Sequence, residues 1–347
     1  MIFLKSLFTK IKKNFFSILI VIFTLCLIAY SKTNIIAAKS GLSLWFNNVI
    51  PSLFPFFIAT ELLKFTNIPH VLGKKLNKFM RPLFNVPGIG AYALIMGIIS
   101  GYPVGAKIVS DFKNNNLCTT EEAERLITFT NNSGPLFIIG TVGISLFSSI
   151  SIGLLLLISH LLASITVGII FRFWKSNNFK RTYNDGSLII DRSFNSIGEI
   201  LANSIMNSIK TIVLIGGFIV LFSVLISILN SFPFRKFIII SMSPLFDFIK
   251  LDKKLIIPFI SGMIELTSGL NLVSLVPLKS LGVNVIICSF LLGFGGISVV
   301  LQVSGIIYKS NISVKPYILG KLLHGIISSV YTLLIIISFP YFSYLLF

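Results

Sequence analysis

Residues 100–107, Ser-Gly-Tyr-Pro-Val-Gly-Ala-Lys, interrupt an apolar run with side chains that could hold an anion. Pro103 removes a backbone donor and clashes with the preceding turn, at about 3 kcal/mol in a helix interior, and Gly101 and Gly105 let the chain turn there. If the run 88–110 breaks at this point, each arm is half a span. The tip then exposes amides and hydroxyls from Ser100, Gly101, Tyr102, Pro103 and Gly105. Lys107 could neutralise a carboxylate, worth about 4 kcal/mol at 4 Å in an effective dielectric near 20. Such backbone is tolerated deep in a bilayer only against protein or water, so a break implies a cavity. The alternative is one Pro-kinked helix of about 35 Å, with Lys107 snorkelling to the interface.

A second constellation lies at 128–135, where Thr128, Thr130, Asn131, Asn132 and Ser133 precede Gly134 and Pro135. Proline suits the first turn of a new helix, with Asn or Ser capping its free amides. A half-helix beginning there would turn a positive dipole end towards an anion. Small polar residues joining neighbouring helices are the alternative. In the second half, Glu265 stands with Thr267 and Ser268 in an oily segment. An intramembrane carboxylate is a functional candidate: a carrier of a coupling proton, a partner for Lys107, a cation ligand, or an interfacial residue. Gly293, Gly295 and Gly296, followed by Gln302, fit another broken crossing or a close helix contact.

Composition sets the medium. Of 347 residues, 54% are hydrophobic and 12% charged, half the share usual for a soluble domain, so most of the surface must face lipid. The net charge of +18, from 29 basic and 11 acidic residues, lies in clusters between apolar segments. That is the positive-inside pattern, not a nucleic-acid stripe. Cys26, Cys118 and Cys288 have neither metal-ligand nor disulfide spacing. His70, His160 and His324 are far apart in sequence and read as structural. H-E-x-x-H, G-x-S-x-G and P-loop patterns are missing, and neither an enzyme nor a cofactor is expected.

The elements that must position these residues follow from apolar length. Full spans are expected near 15–31, 42–63, 152–171, 211–229 and 322–345, with interrupted regions at 88–110, 126–149 and 255–307. Lys5, Lys10, Lys12 and Lys13 precede an apolar stretch that resembles a signal peptide and is read as a retained first helix. Taking 88–110 and 255–278 as dips puts most basic residues inside, Lys315 and Lys321 among them as loop residues; the 235–254 cluster falls outside. The order helix, dip, interrupted crossing, helix over 42–171 then recurs over 211–345 from the opposite side. Inverted repeats with paired broken segments mark a transporter and its midplane site; chance similarity between two oily segments rich in Gly and Ser is the alternative. Four units result: an anchor at 1–40, a repeat at 41–171, a loop with an interfacial amphipathic helix at 172–210, and a repeat at 211–347.

The stretches "MRPLFNVPGIGAYALIMGIISGYPVGAKIVSDF" (80–112) and "EEAERLITFTNNSGPLFIIGTVG" (121–143), with "GLSLWFNNVIPSLFPFFIATELL" (41–63), resemble the sporulation integral membrane protein YlbJ family. The resemblance implies nucleoside-recognition Gate repeats and an all-α polytopic fold. It also implies the two re-entrant hairpins and two broken helices of concentrative nucleoside transporters. It further implies an endospore former whose outer forespore membrane this protein would occupy, moving dipicolinate towards the forespore. The partners expected are a small organic anion, the bilayer, and either a proton or a sodium ion for coupling. A nucleoside carrier and a non-transporting scaffold for spore-envelope assembly are the rival readings.

Overall fold

The computed structural model describes residues 17–176, 196–231, 233–277 and 281–346, which form helices and short connections without a strand among them. The basic N-terminal lysines and most of the 172–195 connector lie outside the described residues. Among the described residues, five helical stretches are long and apolar enough to cross a membrane: Ser31–Leu63, Ile150–Phe171, Ile197–Leu229, Leu281–Ser310 and Val314–Ser338.

The first 13 described helical residues, α1 (Ser17–Ala29), reach about 20 Å at 1.5 Å per residue. The chain then turns at Tyr30 into α2 (Ser31–Leu63), a 33-residue helix that contains a π-helical segment at Trp45–Val49. Next comes the amphipathic α3 (Ile68–Phe84), which buries Pro69, Gly73, Met80 and Phe84 and leaves its lysines outside. The paired short helices α4 (Gly90–Ser100) and α5 (Val104–Asn114) follow. α6 (Thr120–Thr130) opens on a Thr119–Glu122 capping box and stops at an extended Asn131. Beyond this gap lies α7 (Phe137–Leu146), wound as a π-helix, and then α8 (Ile150–Phe171), capped by Ser149.

The same order recurs in the second half. α9 (Ile197–Leu229) also has 33 residues, and α10 (Phe234–Phe248) is amphipathic. α11 (Ile256–Ile264) and α12 (Leu266–Ser274) pair as a hairpin, α13 (Leu281–Phe294) breaks at Gly295 into α14 (Gly296–Ile307), and α15 (Val314–Ser338) closes the set. A short α16 (Pro340–Leu346) follows. Three boundaries differ from expectation. The span expected at 42–63 begins at Ser31, eleven residues earlier. The amphipathic stretch at 193–209 is not a separate interfacial helix, because from Ile197 it continues unbroken into the 211–229 span. The last long helix begins at Val314, eight residues earlier than expected, because Ser313 caps it by accepting from Lys315 N and Pro316 fits its first turn.

Glycines decide that 88–114 and 255–274 are hairpins and not kinked rods. Arms of 11 residues are about 16 Å long, half a hydrocarbon thickness. They cross where a Cβ on Gly97 would lie 3.3 Å from Gly105 Cα and would overlap Thr130 O. In the second hairpin a Cβ on Gly269 would overlap Gly262 Cα. Backbone cannot give way as a flexible side chain does. Gly269→Ala is therefore expected to cost about 1–3 kcal/mol by overpacking, read as a lower melting temperature of the purified protein. Gly217→Ala, with open space around it, is the control.

The long helices hold these hairpins in place. α2 crosses α9 with the Trp45 ring packed on Gly216 and the Trp45 Nε1–H donating to Ile212 O at 2.9 Å. α15 packs against α8, α13 and α6, and so reaches both broken crossings.

Candidate functional site

The interruptions meet. Gly101, at φ +78° in the turn between α4 and α5, lies against the α6–α7 gap: a Cβ there would be 3.1 Å from Gly134 N. The Ser133 hydroxyl donates to Tyr102 Oη at 2.6 Å. A Cβ on Gly295 would be 3.8 Å from the Tyr102 ring, and one on Gly296 would be 3.2 Å from Leu266 N at the second hairpin's tip. Two hairpin tips and two helix breaks therefore share one centre.

A cavity occupies that centre. The hairpin tips and the first gap supply Gly101, Tyr102, Ser133, Gly134, Glu265 and Thr267. α14 adds Ser298 and Gln302, and paired apolar walls come from Val49 and Leu53 on α2 and Ile215 and Ile219 on α9. The cavity leaves ≈ 50 Å³ for the centres of water molecules. A second cavity of ≈ 210 Å³, with Asn48, Thr141, Ser145 and Asn271 on its wall, shares Phe137 and Thr267 with the first. First-turn residues of three half-helices, α7, α12 and α14, border the central cavity. Helix N-termini carry unsatisfied amides and partial positive charge, which favours an anion; the Glu265 carboxylate already takes that place at α12, whereas α7 and α14 have no side-chain cap.

The chain is 36% identical over 326 residues to the sporulation integral membrane protein YlbJ of Bacillus subtilis strain 168, covering 90% of this chain and 80% of that one. This chain belongs to the YlbJ family. With five helices of spanning length, it is a multi-pass integral membrane protein. No family model matches it. Among solved structures, a doubly substituted CNTnw in an outward-facing state aligns with 90% of this chain and 86% of its own, at a TM-score of 0.47 and 12% identity.

Of the site residues expected from sequence in this YlbJ-family chain, Gly101, Tyr102, Ser133, Gly134, Glu265, Thr267 and Gln302 line the cavity. The others brace it. Ser100 shares a hydrogen bond with Thr60 of α2, and Pro103 precedes the first turn of α5. Gly105 packs on Thr130 O, and Ser268 N donates to Glu265. Asn131 joins three elements: its Oδ1 accepts from Ala106 N of α5 at 3.4 Å, and its Nδ2 donates to Tyr317 Oη of α15 at 2.8 Å. Asn132 turns away, donating to Phe129 O and Ser164.

Glu265 does not meet Lys107. Its two oxygens accept from Thr267 N at 3.0 Å and Ser268 N at 2.7 Å, capping α12 inside the protein. Lys107 does not line the cavity, which corrects its expected role as carboxylate receiver. One turn beyond Pro103, its ammonium pairs with Glu61 at 2.8 Å, beside Lys64 and Asp111. Lys107→Met leaves Glu61 with Lys64 at 3.0 Å. Partly exposed pairs contribute about 0–1 kcal/mol, so a melting shift of that size and substrate uptake within about twofold of the parent are expected. Arg125 is a brace too, donating to Asn85 O and Trp174 O.

Sequence reasoning missed Lys321. Counted as a loop residue, it lies inside α15 with no exposed surface. Its ammonium reaches Asn131 O at 3.1 Å and stands 5.9 Å from the centre of the Tyr102 ring. His160 and His324, distant in sequence, lie against each other beside it, their rings tilted by 33° with centres 4.3 Å apart. The signal was a polar stripe at helical spacing, Tyr317, Lys321, His324, Ser328 and Thr332, all buried.

Proposed function

We propose that this chain is a membrane carrier for a small organic anion, and that the anion is dipicolinate. It would move from the mother cell across the outer forespore membrane. The observation that carries this reading is the convergence of two hairpin tips and two helix breaks on one polar-lined cavity. Interrupted backbone is tolerated at membrane depth where it lines a cavity, and a scaffold has no need of one. The first set of elements, residues 31–171, contains three crossings if its hairpin is re-entrant. The second set, 197–338, then starts from the opposite face, as alternating access by inverted repeats requires. Half-helix N-termini and the Tyr102 ring suit an aromatic dicarboxylate. The kinship with a sporulation protein supports the cellular setting.

Purified protein in liposomes, offered radiolabelled dipicolinate or uridine, tests the reading. Saturable uptake of dipicolinate is expected. Uptake of uridine alone would point to a nucleoside carrier, and uptake of neither would sink the carrier reading in favour of a scaffold.

A further inference from the structure

A lysine buried without a counter-ion is costly, and Lys321 has no carboxylate within ion-pair distance among the described residues. Its surroundings fix how many protons it needs. His324 Nε2 lies 3.0 Å from His160 O, which can only accept, so His324 carries its proton on Nε2. Its Nδ1 lone pair then faces Lys321 Nζ at 3.4 Å. His160 Nε2 accepts from Ser133 N at 3.2 Å, which puts the His160 proton on Nδ1. His160 is thereby held neutral, and His324 is neutral whenever Lys321 donates to its Nδ1. Lys321 has two fixed acceptors, Asn131 O and His324 Nδ1. A neutral amine with two N–H bonds satisfies both; the third proton of an ammonium meets only the Tyr102 ring. That ring lines the cavity.

Resting on the carrier reading, we propose that Lys321 carries the coupling proton of transport. The amine lone pair takes one proton, delivered from bulk solution through cavity water, when an anion fills the site across Tyr102, and the ammonium returns it to solution when the anion leaves. Anion binding and protonation favour each other by reciprocal linkage. In the present conformation Nζ has no exposed surface, so the amine neither gains nor loses a proton there; exchange belongs to conformations in which Tyr102 moves aside.

The surroundings hold few other titratable groups. The hairpin tip presents Tyr102, α8 His160, and α15 itself Tyr317 and His324. α13 carries only Cys288, and α14 has none. On α6, Glu121 stands in the first turn, Glu122 and Glu124 pair with Arg81 and Lys175, and Arg125 is bonded to Asn85 and Trp174. Glu265 is spent on the α12 amides.

Calorimetry of dipicolinate binding to the full-length protein, in buffers of different ionisation enthalpy, tests this directly. About one proton taken up per anion is expected, with affinity falling about tenfold per pH unit on the alkaline side. In liposomes a proton gradient is expected to drive accumulation and a sodium gradient is not. Lys321→Arg, permanently charged, is expected to bind at every pH without proton uptake and to exchange substrate without concentrating it. Lys321→Met is expected to bind at least about tenfold more weakly and without pH dependence. Binding by the parent protein without proton uptake, sodium-driven accumulation, or unaltered proton uptake in either variant overturns the role of Lys321 alone. Should the parent neither bind nor move dipicolinate, the carrier reading falls and this role with it.

Discussion

Glu265→Gln is expected to tighten dipicolinate binding by about tenfold or more while lowering the melting temperature. The two effects come from different states of the protein. The carboxylate accepts two backbone N–H groups at the start of α12; an amide oxygen holds them less well, and a weakened cap costs about 0.5–2 kcal/mol. That cost falls on the folded protein whether or not substrate is bound, so it cancels in the dissociation constant. What does not cancel is repulsion between the Glu265 carboxylate on the cavity wall and an incoming carboxylate. At about 6 Å and an effective dielectric near 20 this is about 3 kcal/mol. Relief of repulsion therefore governs affinity, and loss of the cap governs stability. Glu265→Ala is expected to show the same split with a larger fall in melting temperature, because it orphans two donors. Weaker binding in Glu265→Gln would instead show that this carboxylate contacts substrate as a hydrogen-bond acceptor.

The breaks were legible because glycine and proline act locally. Gly101, Pro103, Gly134 and Gly295 punctuate apolar runs whatever surrounds them, and each marks a real interruption in the structure. Partners were not legible. Lys107 sits next to a break in sequence, yet the chain brings Glu61 to it from 46 residues away, at the end of α2. The opposite error hid Lys321. A lysine just before an apolar run of spanning length resembles the cytoplasmic end of a span. Only the Ser313 cap and the first-turn Pro316 place it two turns inside the helix. Hydropathy weighs residues one at a time, whereas the face on which Tyr317, Lys321 and His324 sit is a property of spacing. The two 33-residue helices were likewise split by their polar stretches at 31–41 and 197–210, where packing between α2 and α9 carries the helix onward.

Asn131→Leu is expected to be the most damaging single change at the centre. The side chain fills the gap between α6 and α7 and is buried. Its loss leaves the Tyr317 hydroxyl oxygen without its donor and the Ala106 amide without an acceptor, both inside the protein. An orphaned buried group costs about 1–3 kcal/mol, so about 2–6 kcal/mol is at stake against a usual total near 5–15 kcal/mol. Much less folded protein is expected from membranes, with a far lower melting temperature for what remains. Tyr317→Phe removes the other side of the same bond and is expected to cost about 1 kcal/mol. The double variant Asn131→Leu with Tyr317→Phe is then expected to be less destabilised than the sum of the singles by about 1–2 kcal/mol, since the hydroxyl is no longer stranded. Strict additivity would show that Asn131 does not tie the first break to α15. In that case the Asn131 carbonyl would have no fixed position from which to hold Lys321, and the break could move independently of the helix that carries its lysine.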